Sequence, residues 1–369
     1  MKQTNLFSQN HAGESYNCDQ LRLARLAAGK SLVELGEALE VTRQYAHKLE
    51  VGATPSDEQL AKLAELLKVS ESFFFSARKR PIEIEQCHFR SLRTSTQTLK
   101  KTVMSQVEMF DDHFVRHLEE EIDFPEIRIP DIGDTDISSV AQIEGLAEKF
   151  RRDLGLGLGP ISNMIKLTEV IGCLVLNIKE VDDKVDAFSL FNGRPLIVRN
   201  TAKQSPCRLR FDVAHELGHL VMHQGVETGC RKTEEQANNF ASAFLMPRAS
   251  FSAEFPRMRG RNFNWDALSE MKLRWGVSYK ALIYRANKLG LITPEKAKSG
   301  FTYLNRSGQT KVEENDDKLS LEQPSMIQSA INMLDFYTWK TLLKASGLTE
   351  DILINRYMLS VPKAHLRSV

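Results

Sequence analysis

Two histidines four residues apart, with a glutamate after the first, form His215-Glu216-Leu-Gly-His219 within Phe211-Asp-Val-Ala-His-Glu-Leu-Gly-His-Leu-Val-Met-His223. On a helix, four residues make a little over one turn, so both imidazoles leave from one side and can reach one metal ion. Glu216 leans toward the same place without being a ligand, and its carboxylate can take a proton from water held by the metal. Leu217, Leu220 and Val221 lie on the far face, so the segment reads as an amphipathic helix offering one side to the metal and burying the other.

A two-histidine site needs a third ligand. The next helical pattern, Thr233-Glu-Glu-Gln-Ala-Asn-Asn-Phe-Ala-Ser-Ala-Phe-Leu-Met-Pro247, has an apolar stripe at Ala237, Phe240, Ala241, Phe244 and Leu245 and stops at a proline. Glu234 lies one turn before that stripe, on its face, where a carboxylate is costly unless paired or bound to metal. It is the natural third ligand of a His2Glu zinc site. Glu235, the alternative, is rotated by about 100° toward Asn239 and Ser242, read as the wetter face. His223 is about 12 Å along the axis from His215, too far to share an ion, and reads as a helix-end or supporting residue.

The run 208–223, with Glu234-x-x-Ala-Asn-x-Phe-Ala and Phe244-Leu-Met-Pro247 after it, resembles the ImmA/IrrE family of regulatory metallopeptidases. The likeness extends upstream through Ile171-Gly-Cys-Leu-Val, Asp186-Ala-Phe-Ser-Leu and Pro195-Leu-Ile-Val, and downstream through Arg274-Trp-Gly-Val-Ser-Tyr-Lys-Ala-Leu-Ile-Tyr-Arg-Ala286 to Leu291. It spans about half the chain. The family's glutamate ligand, three residues before the Ala-Asn pair, falls on Glu234. The resemblance implies a cytoplasmic zincin-like domain that cleaves a partner transcriptional regulator or antitoxin. The competing class is a regulator or antitoxin that keeps the zincin shell for sensing or docking without turnover; Glu216 argues against it, since a purely structural site has no use for that base.

At 369 residues the chain is long enough for two or three domains. No stretch is apolar enough to span a bilayer and residues 1–10 have no apolar signal core, so a soluble, cytoplasmic protein with no membrane partner is expected. Five scattered cysteines, Cys18, Cys87, Cys173, Cys207 and Cys230, contain no C-x-x-C pair and read as reduced thiols. Cys87 carries one alternative, an inhibitory thiolate capping the zinc. A net charge of +1 gives no global argument for nucleic acid.

Residues 19–75 read as four short helices. Gly29 closes the first, Ser31-Leu-Val-Glu34 is a capping box opening the second, Thr42 caps Arg43-Gln-Tyr-Ala-His-Lys-Leu-Glu50, and Ser56 starts the fourth. The pattern resembles a helix-turn-helix domain of the phage-repressor XRE type, down to Glu50-x-Gly52 and Lys68-Val-Ser-Glu-Ser-Phe-Phe74. Gly36 stands where alanine is expected and should weaken its helix by roughly 1 kcal/mol. On the third helix Arg43, Gln44, His47 and Lys48 are polar; Gln44 can pair with adenine while the cations hold phosphate or guanine. Acidic and basic residues nearly cancel between 18 and 69, so Arg78-Lys79-Arg80, Arg90 and Arg93 are candidates for the missing positive charge. A protein-docking module is the alternative.

Residues 76–135 read as a linker with a long amphipathic helix over 97–121, through Leu99, Val103, Val107, Phe110, Phe114 and Leu118, which packs on the peptidase or pairs with its copy in a homodimer. The peptidase domain is expected over 136–295: a helix at 140–154, strands at 173–178, 187–191 and 196–199, the catalytic helix, and a second helix pair over 268–289 suited to packing. The sheet edge is a place for substrate backbone to add as a strand. Tyr279, Tyr284 and Arg208 are the candidates for stabilising the oxyanion of peptide hydrolysis. Residues 296–369 are expected to be mainly helical, with a polar loop over 305–319 and helices over 326–343 and 349–358. The fold class is α+β, an all-α helix-turn-helix domain, a zincin-like domain with a small sheet, and a helical end.

Overall fold

The structure, a computed structural model, describes residues 15–82, 87–88, 96–132, 137, 139–179, 187–200, 205–226, 228–258 and 262–363. Residues 1–10, Arg90, Arg93 and Asp186, which enter the sequence reading, lie outside these.

Local signals place the first helices, α1 (Cys18–Ala27), α2 (Leu32–Leu39), α3 (Arg43–Leu49) and α4 (Asp57–Leu67). Ser31 and Glu34 form a complete capping box, Ser56 and Gln59 another, and the Thr42 side chain accepts from the Tyr45 amide. Each motif satisfies amides that a helix start leaves open. Gly36 is not the weakness it reads as: a Cβ there would stand 2.9 Å from the Val41 carbonyl oxygen, so the turn into α3 requires its absence.

Among the described residues, a sheet of four strands divides the molecule: β1 (Cys87–His88), β2 (Leu174–Ile178), β3 (Phe188–Asn192) and β4 (Arg194–Asn200), in the order β1-β3-β4-β2. β2 pairs parallel with β4; the other two pairs are antiparallel. Because side chains alternate across a strand, each strand serves two cores. Cys87, Leu190, Leu196 and Val198 face one core, with Leu21, Leu35 and Leu63 of the amino-terminal helices. Val175 and Ile197 face the other, with the catalytic helices.

The first core is larger than a helix-turn-helix domain. Helix α5 (Gln97–Phe110) continues through a π-helical turn (Asp111–Val115) into α6 (Arg116–Glu121), and its extra residue rotates the apolar stripe so that Val107, Phe110, Phe114 and Leu118 are all enclosed. The π-helical His113 bonds Gln20 of α1 through Nε2 at 3.1 Å and the Ser346 carbonyl through Nδ1 at 3.2 Å. Thus the stretch expected to link the domains is the beam on which the amino-terminal and carboxyl-terminal helices meet. The latter are α15 (Met326–Met333), α16 (Phe336–Ser346) and α17 (Glu350–Asn355), which bring Trp339, Leu353 and Tyr357 into the same core. The single helix expected over 326–343 is two, because Asp335 accepts from the Thr338 amide and starts α16 afresh.

On the other side of the sheet stand α7 (Val140–Asp153), α8 (Met164–Val170), α9 (Pro206–Met222), α10 (Arg231–Leu245), α11 (Arg248–Glu254), α12 (Trp265–Trp275), α13 (Tyr279–Lys288) and α14 (Pro294–Arg306). The polar loop after α14 is anchored by a buried ion pair: Lys272 reaches Asp316 at 2.7 Å and Glu313 at 3.0 Å. Glu313 also accepts from the Tyr279 amide at 2.7 Å, holding the start of α13. Among the described residues, no helix is long and apolar enough to cross a membrane.

Candidate metal centre

Pro206 opens α9 at a position where a missing amide costs nothing, and the helix runs unbroken past both histidines to His223 at its end. Helix α10 crosses it closely at Gly218, where a Cβ would stand 3.0 Å from the Phe240 ring. That approach delivers Glu234 to the histidines. The His215 and His219 Nε2 atoms are 3.1 Å apart, and Glu234 comes within 3.3 Å of the first and 3.5 Å of the second. Tetrahedral ligands at about 2.1 Å from one ion stand roughly 3.4 Å from each other, so these three donors have the spacing of one metal site.

The remaining atoms of the two rings are committed elsewhere, which settles their tautomers. His215 Nδ1 donates to Asn238 Oδ1 at 3.1 Å. For His219 the assignment comes through a relay. Gln236 donates from Nε2 to the Ile137 carbonyl at 2.6 Å, leaving its Oε1 to accept from His223 Nε2 at 3.1 Å. His223 Nδ1 must then accept, and His219 Nδ1 donates to it at 2.9 Å. Both Nε2 atoms therefore turn bare lone pairs toward each other and toward a carboxylate. A cation among them converts three mutually repelling acceptors into ligands, so the residues fit a divalent metal.

Electrostatics agree with that geometry. Burial pushes His219 down to about 4, keeping it neutral as a metal ligand must be. Burial pushes the Glu216 carboxyl up to about 8, opposed by His215 and by Ser189, whose Oγ donates to Glu216 Oε2 at 2.7 Å.

Glu235 is exposed and pairs with Lys288 at 3.4 Å, away from the cluster. Its helix has no wet face at Asn239 and Ser242, however; both are buried, because α10 is packed between α9 and α7. Tyr279 is enclosed against Trp265 and Lys272, Tyr284 lies under Lys288, and Arg208 is exposed on the first turns of α9. Cys87 faces the amino-terminal core, opposite to the metal site, so it is not placed to cap the ion. Its neighbour His88 takes that side instead: the ring stacks on His219 with centroids 5.2 Å apart and bonds Thr228 at 3.1 Å. Neither His88 nor Ser189 carries a local signal, since both arrive by strand pairing across long separations. Asn238 could have been found, one turn after Glu234 on the same helix.

On the other side of the molecule, Arg43, Gln44, His47 and Lys48 are all exposed on α3, while Ala46 and Leu49 bury its opposite face. Behind it, Arg25 of α1 makes a two-pronged bond to Glu50 at 2.5 and 3.0 Å. This fixes the end of α3 against the domain.

Comparison with known proteins matches both halves. Residues 168–287 match the family model of the IrrE N-terminal-like domain, and residues 21–74 match that of the helix-turn-helix domain. No curated protein matches the chain. The buried His2Glu cluster is a metallopeptidase active-site arrangement within a stretch that matches the IrrE N-terminal-like domain, and a helix-turn-helix domain of DNA-binding type stands at its amino-terminal side.

Proposed function

We propose that the chain is a zinc-dependent regulatory endopeptidase that cleaves a partner transcriptional regulator or antitoxin, and that α3 reads DNA through Arg43, Gln44, His47 and Lys48. The observation that carries the catalytic half is the 3.1–3.5 Å spacing of the His215, His219 and Glu234 donor atoms. Zinc held there would supply a Lewis acid for the scissile carbonyl and for the attacking water. Glu216 takes the proton from that water and returns it to the leaving amine. Ser189 orients the carboxylate for both transfers by donating to Oε2. Asn238 and the His223–Gln236 relay keep the two imidazoles in the tautomer and orientation that present Nε2. Exclusion of water around Glu216 strengthens each of these interactions.

The test is Glu216→Gln, which keeps the ligands and removes the base. Zinc content should match wild type, and cleavage should fall by about 10²-fold or more. Mass spectrometry of new protein termini in cells expressing either form identifies the substrate as the regulator cut by wild type alone. Identical termini in the two cell populations would sink the enzyme reading in favour of sensing or docking.

A further inference from the structure

The two histidines and Glu216 are covered: His219 is 0% exposed, Glu216 2% and His215 3%. Part of the cover comes from β1. Two residues, Cys87 and His88, pair antiparallel with β3, and His88 stands directly opposite Ser189, the residue that bonds Glu216. The His88 ring, itself 2% exposed, lies on the ring of His219 at an interplanar angle of 10° and is held from the other side by Thr228. β3 is paired with β4 along its inner side, so its outer side is the only one where a further strand can be received. An extended peptide pairing there would pass over Ser189 and Glu216. β1 occupies that register already.

We propose that the outer edge of β3 is where the protein substrate adds as a strand, and that Cys87–His88 is a tethered competitor that keeps this edge and the metal site shut. The inference rests on the peptidase reading above. It also connects the two halves of the molecule. Just before β1, the Lys79 and Arg80 amides donate to Asp112 at 2.9 and 3.0 Å, and the Ile82 amide donates to Glu108 at 3.2 Å. Both carboxylates belong to the long helix that packs on α1 of the helix-turn-helix domain. These bonds tie the chain leading toward β1 to the helix on which the amino-terminal domain rests. An intramolecular occupant of this kind competes at high effective concentration, so a substrate must either bind strongly or meet a chain whose strap has been drawn off.

Two variants of the full chain test this. Leu190→Cys places a thiol directly opposite the native Cys87, within the reach of a cross-strand disulfide, and gives a lock that reductant opens. His88→Ser removes the stack on His219 and weakens the strap without touching a ligand. The probes are hydrolysis of casein, a disordered polypeptide, and hydrogen exchange of the β3 amides. The oxidised lock should cleave at least about tenfold more slowly than its reduced form, and His88→Ser at least about tenfold faster than wild type, as a released fraction of open sites requires. Exchange in β3 should be faster in His88→Ser and slower in the oxidised lock. Measurable cleavage at the same rate by the oxidised and reduced lock overturns the proposal, as does unchanged exchange in His88→Ser. Altered exchange with no hydrolysis by any form leaves the strap standing and overturns the peptidase reading instead.

Discussion

Helices α9 and α3 both present polar side chains four residues apart, yet they do so in opposite ways. On α9, each imidazole is buried and both of its nitrogens are committed, one to the metal position and one to a neighbour. On α3, the polar side chains are exposed and independent, and only the apolar back of the helix is fixed. The difference is the one the two proposed partners would require. A metal ion tolerates errors of a few tenths of an ångström, so its ligands must be preorganised by other residues. DNA contacts are completed by the partner itself and by water, so an open surface is sufficient.

This contrast can be tested, beginning where the expected effect is largest. Glu234→Ala removes a ligand and should empty the site in metal analysis, whereas Glu235→Ala, which loses only a solvent-facing pair with Lys288, should leave occupancy at wild-type level. The reverse result would place the third ligand on the wrong residue. One step out from the metal, Gln236→Leu breaks the relay that sets the His219 tautomer. Affinity for zinc should fall about 10- to 100-fold by competition with a chelator, with the fold retained. An unchanged affinity would mean that His219 needs no relay.

On α3 the effects should be graded and separable. Gln44→Ala should cost roughly 1–2 kcal/mol of DNA binding and relax preference at one base pair, while Arg43→Ala should weaken all sequences alike and lower the salt dependence. Loss of metal binding in either variant would show that the α3 side chains are not separable from the metal site. The smallest effect concerns Asp111, in the π-helical turn between the two regions. Burial pushes its carboxyl from 3.8 up to about 7, against the pull of Arg80. Its folded pKa is above its unfolded value, so the stability tied to its proton is present below about 4 and is lost as pH rises toward 7. Asp111→Asn, which mimics the protonated form, should raise unfolding stability by roughly 1–2 kcal/mol at pH 8 and change little at pH 4. Denaturant unfolding at the two pH values decides it, and an equal shift at both would remove titration as the cause.

Much of the molecule is legible in its sequence, and for definite reasons. Capping boxes at Ser31 and Ser56, the cap at Thr42 and the proline-started catalytic helix are local signals, satisfied within one turn. Helical period alone places His215 and His219 together and turns Glu234, not Glu235, toward them. What escaped is everything that depends on two distant segments meeting. Gly36 reads as a weak helix residue until the Val41 carbonyl is seen against it. Residues 97–121 read as a connector because amphipathicity reports that one face is covered, never by what; the structure covers it with α1 on one side and α16 on the other.

The same limit decides the regulatory question. Sequence by itself brings out the His215–Glu216–His219 motif and points to Glu234, because that chemistry is a matter of residue type and spacing along single helices. Only the tertiary structure decided that His88 and not Cys87 faces the metal. A strand sends neighbouring side chains to opposite faces, and which face is which is set by register with β3, about a hundred residues away along the chain.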